Sequence, residues 1–356
     1  MLIIFMSKLT NDIFTYQEAF MKNQVNWLFL VLVLLTTPNN ANTGYSQKVT
    51  LSFSGEVFYL AFDPDKGSQS ILTRSQKSKS SSIYYSTSGQ SNCNIDSISL
   101  DYGDKRVAYC ELCSNPLSYR IIIIDKFNKK QIISFDNGGP LFSFSPKGDA
   151  IVFSEQIPGE PGTPFPPSYR GGVWLYDFAK KKEQKIEIGN AGIRDLNWSE
   201  HDGNIYVATY SDILRYDVKY NKVENVSYKG IYFSPDGKYY ARVPYEGESR
   251  IYNTIDNAEI MELKKSILLK YGIDSNPFPV FKFWSKKLNA VIMSIAYQKN
   301  IIYDPEIKNI LGEFNGIVIG TNPDGTSVAV YPPGKDGRSK VEILNLLDLI
   351  QQKPGP

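Results

Sequence analysis

One short turn recurs along this chain of 356 residues and restricts its fold more than any other feature. "FSPDG" occupies Phe233–Gly237, a near copy "FSPKG" occupies Phe144–Gly148, and a degenerate "TNPDG" occupies Thr321–Gly325. Looser variants begin at Phe62 ("FDPDKG"), Leu100 ("LDYGDK"), Trp198 ("WSEHDG") and Trp284 ("WSKKLN"), at irregular spacing. An alternating stretch precedes each turn, as in "VFYLAF", "PLFSF" and "KGIYF". Another strand-like run follows most of them, as in "DAIVFS", "NIYVAT" and "KYYARV". Alternation on both sides of a Pro-Asp-Gly turn is the pattern of a β-hairpin.

A second marker follows each hairpin. An apolar run ends in Asp or Asn at Asp125, Asp177, Asp217, Asn253, Asp304 and Asn345. These side chains are expected to cap a turn. A short polar strand such as "KKQIIS" or "KVENVS" comes next. The unit is four antiparallel strands, which is a propeller blade.

The turn, the strand after it and the I-Y-x-x-D marker resemble the TolB-like propeller repeat. That repeat is related to the WD repeat but lacks its Trp-Asp and Gly-His marks. The resemblance spans roughly residues 47–349 and is clearest in the blades beginning near Leu141, Ile193, Gly230 and Phe278. It is to the repeat family and not to TolB itself, which carries a further N-terminal domain ahead of its propeller. It implies an all-β fold and carries over no catalytic residue and no partner.

Seven blades are expected within 47–349, followed by a tail at 350–356. Six blades is the alternative, because "SIYYSTSGQSN" leaves little room for two strands in the first. The last repeat lacks a good fourth strand, and "QKVTLSF" (Gln47–Phe53) precedes the first. The N-terminal strand is therefore expected to close the last blade, which would protect both edges from intermolecular pairing.

Residues 1–41 read as an extension plus signal peptide. The apolar core "WLFLVLVLL" (Trp27–Leu35) follows Lys22 and precedes a small-residue exit near Ala41. It falls short of the roughly 20 residues a spanning helix needs. Met21 is the expected start of this signal, and an uncleaved membrane anchor is the alternative. The expected location is extracytoplasmic, periplasmic or secreted, with no membrane span after cleavage. Such a compartment permits disulfides. A hairpin about Tyr102–Lys105 sets Cys93 opposite Cys113, so these two are expected to bridge and Cys110 to be buried and free.

The chemistry-bearing residues are scarce. There is one histidine, His201, in a turn, and no G-x-S-x-G nucleophile elbow. No catalytic residue, metal site or cofactor is assigned. A formal charge of +2 disfavours nucleic acid. Function is expected on the long loops, where a rigid scaffold positions binding residues. The richest is Glu155–Gly172, with Phe165, Tyr169 and Arg170 among prolines. Tyr245, Lys335 and Arg338 sit on further loops. The leading reading is a monomeric, non-enzymatic scaffold for a protein, peptide or glycan. On the other reading, the Glu155–Gly172 loop is a plug over its blade. The alternative function is a propeller hydrolase, lyase or cyclotransferase using carboxylates around the central channel.

Overall fold

The computed structural model describes residues 49–52, 56–63, 68–75, 82–86, 93–114, 117–155, 172–189, 192–243, 249–260, 279–296, 298–333 and 341–351. The described residues all lie within the compact unit Thr43–Pro356.

Blade 1 contains β1 (Val49–Leu51), β2 (Glu56–Asp63), β3 (Ser68–Ser75) and β4 (Ser82–Ser86). Blade 2 contains β5 (Cys93–Leu100), β6 (Arg106–Ser114), β7 (Leu117–Asp125) and β8 (Gln131–Asp136). Blade 3 contains β9 (Gly138–Phe144), β10 (Ala150–Glu155), β11 (Val173–Asp177) and β12 (Lys182–Ile186). Blade 4 contains β13 (Ile193–Trp198), β14 (Ile205–Thr209), β15 (Ile213–Asp217) and β16 (Lys222–Val226). Blade 5 shows three strands, β17 (Tyr232–Phe233), β18 (Tyr239–Arg242) and β19 (Arg250–Asn253). Blade 6 contains β20 (Val280–Ser285), β21 (Ala290–Ala296), β22 (Lys299–Asp304) and β23 (Asn309–Asn315). Blade 7 contains β24 (Ile317–Thr321), β25 (Ser327–Tyr331) and β26 (Glu342–Asn345), followed by helix α1 (Leu346–Gln351). Every sheet is an antiparallel meander, and the seven sheets form a seven-bladed β-propeller.

The expected closure by the N-terminal strand is corrected by the pairing. β1 bonds to β2 as the innermost strand of blade 1, in the register Val49↔Tyr59 and Leu51↔Val57. Among the described residues blade 7 has three strands, and α1 packs Leu346, Leu349 and Ile350 beside Ile302 and Phe314 of blade 6 and Val328 and Val330 of blade 7. The ring is sealed by side chains. Leu51 and Val57 meet Ala329, with Ile319 and Ile343 packed against them. The cause is a shift of one strand in reading blade 1. "FDPDKG" links β2 to β3, because Asp63 pairs with Ser68. The first-to-second-strand turn lies at Ser52–Glu56, where Ser52 N donates to Glu56 O at 2.8 Å. It lacks the Pro-Asp-Gly mark. In blade 2, β6 and β7 pair out to Ser114↔Leu117.

The recurring turn has a physical explanation. A polar residue ends each inner strand: Ser52, Asp101, Ser145, Ser199, Ser234, Ser285 and Asn322, all buried. Most accept a backbone N–H from across the turn. Ser145 Oγ takes Ala150 N at 3.0 Å, Ser234 Oγ takes Tyr239 N at 3.0 Å, and Asn322 Oδ1 takes Ser327 N at 2.8 Å. Asp101 Oδ1 takes both Lys105 N (2.6 Å) and Arg106 N (3.1 Å). A buried donor left unpaired would cost about 1–3 kcal/mol, so a small acceptor is required there. The turn glycine has two duties. At Gly237 φ is +70°, and a Cβ would lie 2.1–2.3 Å from the His201 ring of blade 4. At Gly325 φ is +67°, and a Cβ would lie 2.6 Å from Ser285 Cα of blade 6. Each such turn thus nests on a preceding blade.

The Asp or Asn ending each third strand caps the following turn. Asp125 Oδ1 accepts Phe127 N (2.9 Å) and Asn128 N (3.0 Å), and Asp177 and Asp304 do the same for their own turns. Apolar clusters then join neighbouring blades. Trp198 and Ile205 of blade 4 pack with Val152 and Ile186 of blade 3, and Phe281 and Met293 of blade 6 pack with Ala241 and Ile251 of blade 5. Between blades 4 and 5 the contact is aromatic. Tyr206 and Phe233 lie 4.5 Å apart, and Tyr228 lies 5.2 Å from Phe233 and 5.3 Å from Tyr240.

Candidate functional site

Meander topology gives the ring two faces. The tight turns between first and second strands share one face. The second-to-third-strand connections and the blade-to-blade connections share the other, called here the loop face. Among the described residues a space opens toward each face.

The first is an axial cavity of about 280 Å³ at the tight-turn end of the inner strands. Phe142, Asp195, Lys282 and Trp284 line it, and Tyr102, Glu200 and Lys286 stand at its mouth. Both carboxylates are engaged. Asp195 accepts Tyr232 Oη at 2.5 Å and Leu196 N at 2.8 Å. Glu200 pairs with Lys286 Nζ at 2.5 Å. Lys286 belongs to blade 6, Glu200 to blade 4 and Tyr102 to blade 2. The ammonium lies 4.8 Å from the Tyr102 ring, so one side chain ties three blades across the mouth. Burial lowers the pKa of both Lys282 and Lys286, with Asp324 opposing the shift at Lys286. Burial pushes Tyr102 up to about 12. The buried Ser97 hydroxyl also lines this cavity and has no hydrogen-bond partner among the described residues.

The second space is a cleft of about 580 Å³ between blades 4 and 5, opening on the loop face. Its walls are the start of β13 (Arg194), the β14–β15 turn (Tyr210–Asp212), the connection from β16 to β17 (Tyr228–Ile231) and the end of β18 (Arg242, Val243). Asp195 and Tyr232 line both spaces, so their hydrogen-bonded pair stands between cleft and channel.

Local structure aims these side chains. The β13–β14 register skips from Ile193↔Thr209 to Asp195↔Ala208, which makes Arg194 the extra residue of a bulge. Bulges re-aim side chains and collect near functional sites. The Arg194 guanidinium rests 5.8 Å from the Tyr210 ring. Thr209 Oγ1 accepts Asp212 N (2.9 Å) and Ser211 N (3.3 Å), fixing the turn that carries Tyr210. Gly230 lets the blade connection cross β18, since a Cβ there would lie 2.1 Å from Ala241 O. That crossing presents Lys229, whose ammonium sits 4.9 Å from the Tyr252 ring. Arg242 stands directly opposite Arg250 across β18 and β19. Arg250 is paired with Glu259 at 2.9 Å.

No protein-family model and no curated protein matches the chain. Among solved structures, TolB from Acinetobacter baumannii is similar, with a TM-score of 0.46 at 16% sequence identity. The match covers 84% of this chain and 63% of that one, so the chain spans less than two thirds of the TolB chain. The seven sheets establish the propeller independently of this likeness.

The residues singled out in sequence fare differently. Phe165, Tyr169, Arg170, Tyr245, Lys335 and Arg338 all lie outside the described residues. Cys93 and Cys113 face each other in the β5–β6 register and are bonded, while Cys110 is buried and free. His201 is exposed, with its ring over Gly237. Among the described residues no helix is long and apolar enough to cross a membrane. Sequence reasoning missed Arg194, Lys229 and Arg242. The adjacent charges in "IRDLNW" were the available signal for the bulge.

Proposed function

We propose that this chain is a monomeric, non-enzymatic propeller scaffold that binds a protein, peptide or glycan through its loop face, outside the cytoplasm. The cleft between blades 4 and 5 carries this reading. It opens on the face with the long connections, and it is lined by Arg and Tyr side chains, the residue types that dominate binding interfaces. Its size falls in the range of ligand sites, about 300–1,000 Å³. The Cys93–Cys113 bond and the apolar Trp27–Leu35 segment suit an extracytoplasmic location.

On this reading Phe165, Tyr169 and Arg170 extend the binding surface, with Tyr245, Lys335 and Arg338 on neighbouring loops. The test is capture of partners from an envelope extract on the immobilised chain, repeated with Phe165, Tyr169 and Arg170 changed to Ala. Loss of the same partners supports the loop face. Undiminished capture by the triple variant removes those residues from the site, and capture of nothing by either chain overturns the scaffold reading.

A further inference from the structure

We propose that the cleft between blades 4 and 5 binds an acidic peptide segment, with Arg194, Lys229 and Arg242 receiving its carboxylates. This deepens the scaffold reading and rests on it. Among the described residues none of these three cations has a carboxylate at ion-pair distance. The Arg194 and Lys229 head groups lie near the rings of Tyr210 and Tyr252. Arg242 faces Arg250 across the sheet, an arrangement of like charges that destabilises a strand pair. Glu259 neutralises Arg250 and leaves Arg242 exposed on the cleft wall. Arg215, also on blade 4, is by contrast paired with Glu224.

The two acids lining the cleft offset only part of the charge of the three cations. Asp195 is buried and bonded to Tyr232. Asp212 accepts hydrogen bonds from Ser211 and from Asn225 Nδ2 (3.1 Å), which hold its carboxyl below the usual pKa. The three cations come from three separate segments on two blades, with Asp212 among them. A compact polyanion would meet that acid. A chain with spaced carboxylates can reach each cation and avoid it. The planar guanidinium fork suits carboxylate oxygens, and the exposed Tyr210 ring supplies apolar contact to the peptide stem.

The test is fluorescence anisotropy of a labelled oligoglutamate decapeptide with the full chain at low salt. Oligoglutamine is the neutral arm, and inorganic phosphate and unlabelled oligoglutamate are the competitors. The expected results are binding of oligoglutamate only and an affinity at least about tenfold weaker in Arg194→Gln/Arg242→Gln. Lys229→Ala, at an exposed side chain, is expected to weaken binding separately. Lys180→Ala/Lys219→Ala removes equal charge from the tight-turn face and is expected to leave binding unchanged. The proposal is overturned if oligoglutamate does not bind, if the control loses as much as the arginine variant, or if phosphate competes as well as oligoglutamate. Such a failure with partner capture intact removes the acidic ligand and leaves the scaffold reading standing.

Discussion

The Tyr232 hydroxyl donates to Asp195 Oδ2 at 2.5 Å, joining β17 of blade 5 to β13 of blade 4. Asp195 is only 3% exposed, so its carboxylate depends on protein donors in place of water. Tyr232→Phe keeps the ring, which lies 5.2 Å from Phe281, and removes this donor. Hydrogen bonds to charged groups contribute about 1.5–3 kcal/mol, and that loss is the expected cost in urea unfolding. Combined with Asp195→Asn, the two changes should be non-additive. A variant as stable as the parent would show that the bond contributes nothing.

The glycine of the recurring turn separates two costs. Gly237 and Gly203 have nearly the same φ, +70° and +71°. A Cβ at Gly203 would meet nothing within 4 Å, whereas one at Gly237 would strike the His201 ring. Gly203→Ala should cost the backbone strain alone, about 1–2 kcal/mol. Gly237→Ala should cost distinctly more, because the blade 4 contact must also open. Pairing it with His201→Ala should recover the excess. Equal melting temperatures for the two glycine variants would remove the contact between turns from the account.

The fold was legible where the turn chemistry is strict. Pro-Asp-Gly marks blades 5 and 7, variants of it mark blades 3 and 4, and the closing Asp or Asn marks blades 2 to 7, because positive φ and side-chain capping leave few residue choices. Blade 1 was misframed because its described inner strand has three residues and the turn after it, Ser52–Glu56, carries no Pro-Asp-Gly to flag it. The cleft was illegible for a related reason. Arg194 enters it through a bulge, and a bulge only delays the alternation by one residue. Arg242 and Lys229 read as ordinary solvent-facing charges, since nothing in the sequence shows that blades 4 and 5 bring them beside Arg194. The Cys93–Cys113 pairing could be read because both residues lie on one short hairpin.

Acid should test the link between blades 5 and 6. Burial alone would raise the Asp236 pKa, but hydrogen bonds from Ser234 Oγ (2.7 Å), Asn289 Nδ2 (2.9 Å) and Lys238 N (3.1 Å) outweigh it and hold it low. A carboxyl lowered on folding contributes stability above its unfolded value of about 3.9, and that contribution is lost as pH falls through the folded value. Asn289→Gly removes the blade 6 donor while tolerating the φ of +47°. The stability gap between parent and variant should be widest near neutral pH and shrink below about pH 4. A gap that stays constant through the acid range would sink the assignment.

Thiol counting tests the hairpin of blade 2. Cys110 Sγ is buried beside Gly138 O at 3.8 Å, and burial raises its pKa well above the usual value, so the folded protein should react slowly or not at all. Unfolded without reductant, the chain should expose one thiol, and after reduction all three. The bond spans 20 residues, and closing a loop of that size stabilises by about 3 kcal/mol in the chain-entropy view. Reduction, or Cys93→Ala with Cys113→Ala, should therefore lower the denaturation midpoint without abolishing the fold, since Tyr109, Ile122 and Ile124 still pack against blade 1. Three reactive thiols in the unreduced, unfolded chain would mean that β5 and β6 are not held by this bridge.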